Sequence, residues 1–207
     1  MVRFQSRIAV LIALAWPALG ALGQVAGSDD DRHVVAAALA SIVEVGTDHP
    51  APGRLLFLSD SIAMCGRISD GRCIMQRFFE RFRETPARQL GVNDSAGPRP
   101  EEVLPDRSSR EALVASAIAR NAERHPWRAL PNADLVAMTA DQEAALSDNE
   151  NSTKYAGFSL PTYTAGGDAL VYGFYRCGRL CGKGWLFYLR KQASGWTVIS
   201  RYMIWIS

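Results

Sequence analysis

From Tyr155 to the C-terminus, β-branched and aromatic runs alternate with short turn-rich breaks, and this pattern restricts that part of the chain to antiparallel sheet. The runs predict strands over 155–163, 169–176, 185–191 and 196–206. The intervening segments 164–168, 177–184 and 192–195 are short enough for a four-stranded meander. On the last strand Trp196, Val198, Tyr202, Ile204 and Ile206 alternate with Thr197, Ile199, Arg201, Met203 and Trp205. Successive side chains of a strand point to opposite faces, so both faces are largely apolar near the C-terminus. Such a sheet needs cover on both sides. Preceding helices supply one side, and a loop, a ligand or a second subunit supplies the other, so a homodimer through the sheet is one form the cover can take.

The upstream chain reads as helices and short strands. Asp29, Asp30 and Asp31 precede an alanine- and valine-rich run to Val45, and acids in a first turn suit the positive end of a helix dipole. Leu55 to Leu58 is a brief apolar run that fits a buried strand. Ile74, Phe78, Phe79 and Phe82 lie at helical spacing with arginines between them, which predicts an amphipathic helix. The segment 89–105 is rich in glycine and proline and reads as an exposed connection. Ser108 followed by Glu111 makes a capping-box pattern for a helix to about Glu123. Leu135 to Met138 fits a short strand and Asp141 to Leu146 a helical turn or two. Together these elements predict an α+β fold, with N-terminal helices packed on a C-terminal antiparallel four-stranded sheet. A nuclear-transport-factor-2-like (NTF2-like) or cystatin-like cone is compatible with it as a fold-level analogy.

The N-terminus predicts export. Arg3 and Arg7 precede an apolar run from Ile8 to Leu22, which is interrupted by Pro17 and closes on Ala21-Leu22-Gly23 before Gln24. A spanning helix needs about 20 apolar residues, so residues 1–23 read as a cleavable signal peptide and not as a stable membrane anchor. Residues 24–207 then form a single mature domain, periplasmic or secreted. Arginine outnumbers lysine 20 to 3, a bias that points to a GC-rich bacterial genome. The whole chain has 23 basic and 21 acidic residues; without the two leader arginines the balance is 21 to 21. A chain of no net charge has no electrostatic case for binding nucleic acid. Its charges are nevertheless segregated. Residues 134–151 hold five acids and no base, whereas 154–207 hold seven bases and only Asp168.

Four cysteines in an exported chain predict disulfides. Of three connectivities, the local pairs Cys65 with Cys73 and Cys177 with Cys181 are favoured, because glycines make both intervening loops pliable. Loops this short stabilise by roughly 2 to 3 kcal/mol each in the chain-entropy model. The C-x7-C and C-x3-C spacings are not those of structural zinc, so no metal is assigned. Cys177 and Cys181 could alternatively form a redox pair, with Arg176, Arg179 and Lys183 lowering a thiol pKa.

The tail from Phe158 to Ser207 carries Ala169-Leu170-Val171-Tyr172, Cys177-Gly178-x-Leu180-Cys181-Gly182-x-Gly184, Leu189-x-Lys191, Gly195-Trp196-x-Val198 and Trp205-Ile206-Ser207. It resembles the C-terminal end of a group of uncharacterised exported bacterial proteins. That resemblance implies the hairpin and assigns no catalytic role. His33, His49 and His125 are too far apart in sequence for a local metal site, and no nucleophile elbow or phosphate-cradling loop is present. No catalytic residue and no cofactor are therefore assigned. The leading expectation is a non-enzymatic module that binds a small ligand or protein partner beside Trp185, Tyr202 and Trp205. The alternatives are a thiol-based redox protein or a hydrolase, and an envelope structural or inhibitory protein that captures an acidic partner on the basic sheet.

Overall fold

The computed structural model describes residues 28–45, 55–63, 82–84, 104–131, 135–147, 154–178 and 181–207. Residues 1–23 (expected as a leader), the expected Cys65–Cys73 pair, His49, most of the segment expected as an aromatic helix ending at Phe82 and most of segment 89–105 lie outside the described residues.

The described elements are helix α1 (Asp29–Val45), strand β1 (Leu55–Phe57), helix α2 (Arg107–Arg120), strand β2 (Leu135–Ala137), helix α3 (Ala140–Ala144) and five further strands. These are β3 (Tyr155–Phe158), β4 (Thr162–Tyr163), β5 (Asp168–Gly178), β6 (Cys181–Gln192) and β7 (Gly195–Ile206). The α+β class holds. The four-stranded antiparallel sheet does not: one seven-stranded mixed sheet runs β2-β1-β3-β5-β6-β7, with β4 paired to β5. The two three-residue strands β1 and β2 join it in parallel, β1 lying between β2 and β3. Runs this short carry no sign in sequence of which partner they will meet. The expected first strand is also divided, because Pro161 has no amide to donate. There the backbone of Leu160 bonds the buried side chain of Asn121, donating to its Oδ1 at 2.6 Å and accepting from its Nδ2 at 3.0 Å.

The central strands are apolar on both faces, and a helix covers each. On one face Val171, Phe187 and Leu189 pack against Val34, Val35, Ala38 and Leu39 of α1. On the other, Leu170, Tyr172, Leu186 and Tyr188 pack with Leu113, Val114 and Ala117 of α2 and with Phe82. Burying each large side chain contributes roughly 1.5–3 kcal/mol, so both helices are held chiefly by the sheet. The expectation of helices on one side alone is thereby corrected.

The cap of α2 differs as well. Asp106, one residue before the helix, accepts from the Ser109 amide at 2.9 Å and from the Ser108 hydroxyl at 2.7 Å. Ser108 stands inside the first turn, and Glu111 pairs with Arg107 instead of closing a box. The capping box occurs at α3, where Thr139 and Gln142 exchange bonds.

The two helices meet around β4. Asp31 of α1 is fully buried, and Arg120 of α2 reaches it with Nη2 at 2.9 Å and Nη1 at 3.1 Å. The Tyr163 hydroxyl donates to Asp31 at 2.7 Å, and Arg120 also donates to the Pro161 carbonyl. Burial, followed by the bond and charge of Asp31, pushes the Tyr163 phenol well above its ordinary pKa, which keeps it a donor. Asp31→Ala leaves Arg120 buried without its anion. We expect it to cost about 3–5 kcal/mol in urea unfolding, whereas Asp29→Ala on the exposed first turn changes stability by about 0.5 kcal/mol or less.

Candidate functional site

The expected binding residues lie toward one end of the sheet, where β3 begins, β5 ends, β6 begins and β7 ends. Two bulges in β7 decide which of them share a face. Leu189 pairs with Val198 but Tyr188 with Ser200, so Ile199 is an extra residue; Trp185 pairs with Met203 but Gly184 with Trp205, so Ile204 is another. The first bulge brings Tyr202 to the α2 face, and the second brings Trp205 there too. Trp185 stays on the α1 face, buried with Phe187 at 6.1 Å between ring centres. The structure therefore brings Tyr202 and Trp205 to one face and separates Trp185 from them.

Trp205 is seated on glycine. A Cβ at Gly184 would overlap its indole nitrogen, and one at Gly182 would come within 3.0 Å of its six-membered ring. The indole Nε1 donates to the Tyr172 hydroxyl at 2.9 Å. Burial raises the Tyr172 phenol to about 12 against the opposing pull of the Trp205 bond and Arg176, so it is neutral at physiological pH. The Arg176 guanidinium lies over the Trp205 ring at 5.5 Å, Phe174 packs at 6.3 Å, and Tyr155 meets Phe174 edge-on at 5.6 Å. Tyr155, Phe174, Arg176, Tyr202 and Trp205 are all half-buried. Tyr155 and Phe174 were missed in sequence, although Phe174 stands two residues before Arg176 and so shares its face. Tyr202 lies nearer α2, against Phe82 at 6.4 Å.

Cys177 and Cys181 are joined across the tip of the β5–β6 hairpin, with Cα atoms 5.1 Å apart. Cys177 is the extra residue of a bulge, since Arg176 pairs with Gly182 and Gly178 with Cys181. Cys181 is exposed and Cys177 half-buried. Just beyond, Ser207 and Gly182 exchange backbone hydrogen bonds, at 2.9 Å and 3.3 Å.

Charge is distributed unevenly along the sheet. Asp168 lies at the far end of β5, where it accepts from Tyr188 at 2.6 Å and pairs with Arg190 at 3.0 Å. Lys191 pairs with Asp30, and Arg201 donates to the Ser41 carbonyl. Arg176 lies over Trp205 at the hairpin end, where Lys154 and Lys183 also stand, and among the described residues no acid pairs with Lys154 or Lys183. On the α1 face beside Lys183, Met203 is 38 % and Ile206 64 % exposed, the large apolar side chains most open to solvent among the described residues.

A second polar cluster follows the parallel strands. Glu143 accepts from the Ser59 hydroxyl at 2.8 Å and from its amide at 3.1 Å, and pairs with Arg124 at 3.0 Å. Burial pushes the carboxyl up, but the Ser59 and Arg124 interactions outweigh it and hold the pKa below the ordinary value. This staple thus stabilises the fold above the unfolded-state pKa and loses that effect as pH falls through the folded one. A carboxylate fully engaged in this way is a structural tie.

The chain matches no protein-family model, no curated protein and no solved structure. Among the described residues no helix is long and apolar enough to cross a membrane.

Gly184→Ala places a methyl where the indole rests. We expect loss of the Trp205–Tyr172 bond, a red shift of Trp205 emission that is absent in the Trp205→Phe background, and a stability loss of about 1–3 kcal/mol.

Proposed function

We propose that this chain is an exported, non-enzymatic module, acting in the periplasm or after secretion, and that it binds a small ligand or protein partner bearing a negative charge. The observation that carries the reading is the half-buried run Tyr155, Phe174 and Trp205 beneath Arg176 on the α2 face, at a sheet end that carries Lys183 on its other face. Aromatic faces supply area at low entropic cost, and a neighbouring guanidinium supplies positive charge that attracts a carboxylate or phosphate. Such a surface selects an apolar or aromatic body with an anionic group. Tyr202 and Trp205 belong to this site. Trp185 supports it from the opposite face.

The export part of the proposal rests on the leader at residues 1–23 and on the resemblance of 158–207 to uncharacterised exported proteins. In favour of the NTF2-like or cystatin-like analogy, α1 lies across β5, β6 and β7, while the second helix on the other face and the parallel strands β1 and β2 count against it. A hydrolase built on Ser59 is disfavoured, since its hydroxyl donates to a carboxylate already held by Arg124. Thiol chemistry at Cys177 and Cys181 is favoured by one observation, the exposure of Cys181.

The test is titration of the oxidised protein with anilinonaphthalenesulfonate, an anionic aromatic dye. Arg176→Glu and Trp205→Leu, each retaining the wild-type near-ultraviolet circular dichroism, should weaken binding at least about tenfold, and salt should weaken it further. Equal binding of an uncharged analogue, or unchanged affinity in both variants, overturns the reading.

A further inference from the structure

We propose that Cys177–Cys181 is an exchangeable disulfide, opened by a dithiol reductant, whose state governs the seating of Trp205. The inference rests on reading the hairpin end as the binding surface, and it makes that surface redox-controlled.

Three observations carry it. The bond lies at a hairpin tip with Cys181 exposed, so an attacking thiolate can reach its sulfur. Exposed disulfides are the labile and regulatory ones, whereas those buried in a core resist exchange. Arg176 adjoins Cys177 and Lys183 follows Cys181 by two residues, and nearby cations stabilise the thiolates that form.

The third observation is the coupling to Trp205. Cys177 is the bulged residue of β5, so the disulfide bridges the one place where β5 and β6 lose register. Immediately beyond it, Gly182 holds Ser207 by a pair of backbone bonds and forms part of the floor under Trp205. Arg176, on the other side of the bulge, covers the same ring. Opening the bond frees the tip to separate, which withdraws the floor, the cover and the C-terminal anchor together.

The exchange balances without any group from the protein beyond its cysteines. One thiolate of the reductant attacks the Cys181 sulfur, the Cys177–Cys181 bond breaks, and Cys177 leaves as a thiolate that takes up a proton. The second thiol of the reductant attacks the mixed disulfide and releases Cys181. The protein gains two electrons and two protons, and the dithiol becomes a disulfide.

The test compares oxidised and dithiothreitol-reduced protein under native conditions, with peptide mass mapping scoring each cysteine separately. Reduction should make Cys177 and Cys181 alkylatable. It should also speed amide exchange of Gly182 and Ser207 at least about tenfold and red-shift emission that is missing in Trp205→Phe. The double variant Cys177→Ser, Cys181→Ser should show the reduced behaviour with and without reductant. Resistance of the pair to reduction in the folded protein, or unchanged exchange at both amides after reduction, overturns the proposal. Dye binding is read separately. If exchange responds to reduction but the oxidised protein ignores the dye, the binding reading fails and the latch stands; if the dye binds and exchange does not respond, the latch fails alone.

Discussion

Strands β5 and β6 are apolar on both faces, and that constraint orders everything around them. Val171 and Phe187 point one way and Leu170 and Leu186 the other, all essentially excluded from water. A sheet of this kind has to be covered twice, and α1 and α2 take opposite sides. Two helices on opposite faces cannot pack against each other through the sheet. They are joined instead around its margin at β4, where Asp31 and Arg120 form a buried, hydrogen-bonded pair with Tyr163. Such a pair is weak evidence of net stability, since desolvation offsets much of the attraction, but losing one partner is costly. Its effect is to fix the relative placement of two helices that the sheet keeps apart.

The same sheet sets up the hairpin end. Aromatic residues continue along the α2 face past the reach of Leu113, Val114 and Ala117, so Phe174 and Trp205 cover one another and remain half-exposed. Glycine takes the positions beneath the indole because any larger side chain would displace it. The result is an aromatic surface held by a tyrosine hydroxyl, a guanidinium and a short disulfide loop, at the end of the sheet opposite the Asp168 carboxylate. Its aromatic composition and the overlying guanidinium are what support the proposed binding role.

Much of this was legible in the sequence. The acidic start of α1, the run Leu55 to Phe57, the three long strands and the short hairpin disulfide all follow from periodicity, turn residues and cysteine spacing. What escaped depends on register. Trp196, Val198, Tyr202 and Ile204 are all even-numbered and read as one face, yet the bulge at Ile199 sends the first two to the α1 side and the last two to the α2 side. The bulge at Ile204 then returns odd-numbered Trp205 to the side of Tyr202, while Trp185 stays behind. No local propensity announces a bulge among β-branched residues. The parallel addition of β1 and β2 was hidden for a related reason, since three residues suffice to pair but not to specify a partner. The α2 cap went to Asp106 because it directly precedes the first helical residue.

Whether the proposed binding surface is the hairpin end around Trp205 can be read from the indole rings. The most direct measurement is to follow the indole N–H signals of the ¹⁵N-labelled, oxidised protein by NMR as the anionic dye is added. Trp127, Trp185, Trp196 and Trp205 report four separate places in the described fold. The Trp205 signal should move with saturable concentration dependence, accompanied by the amides of Phe174 and Arg176, while Trp127 and Trp196 stay in place. Saturable movement of Trp196 or of the residues around Asp31, with Trp205 unchanged, would contradict it.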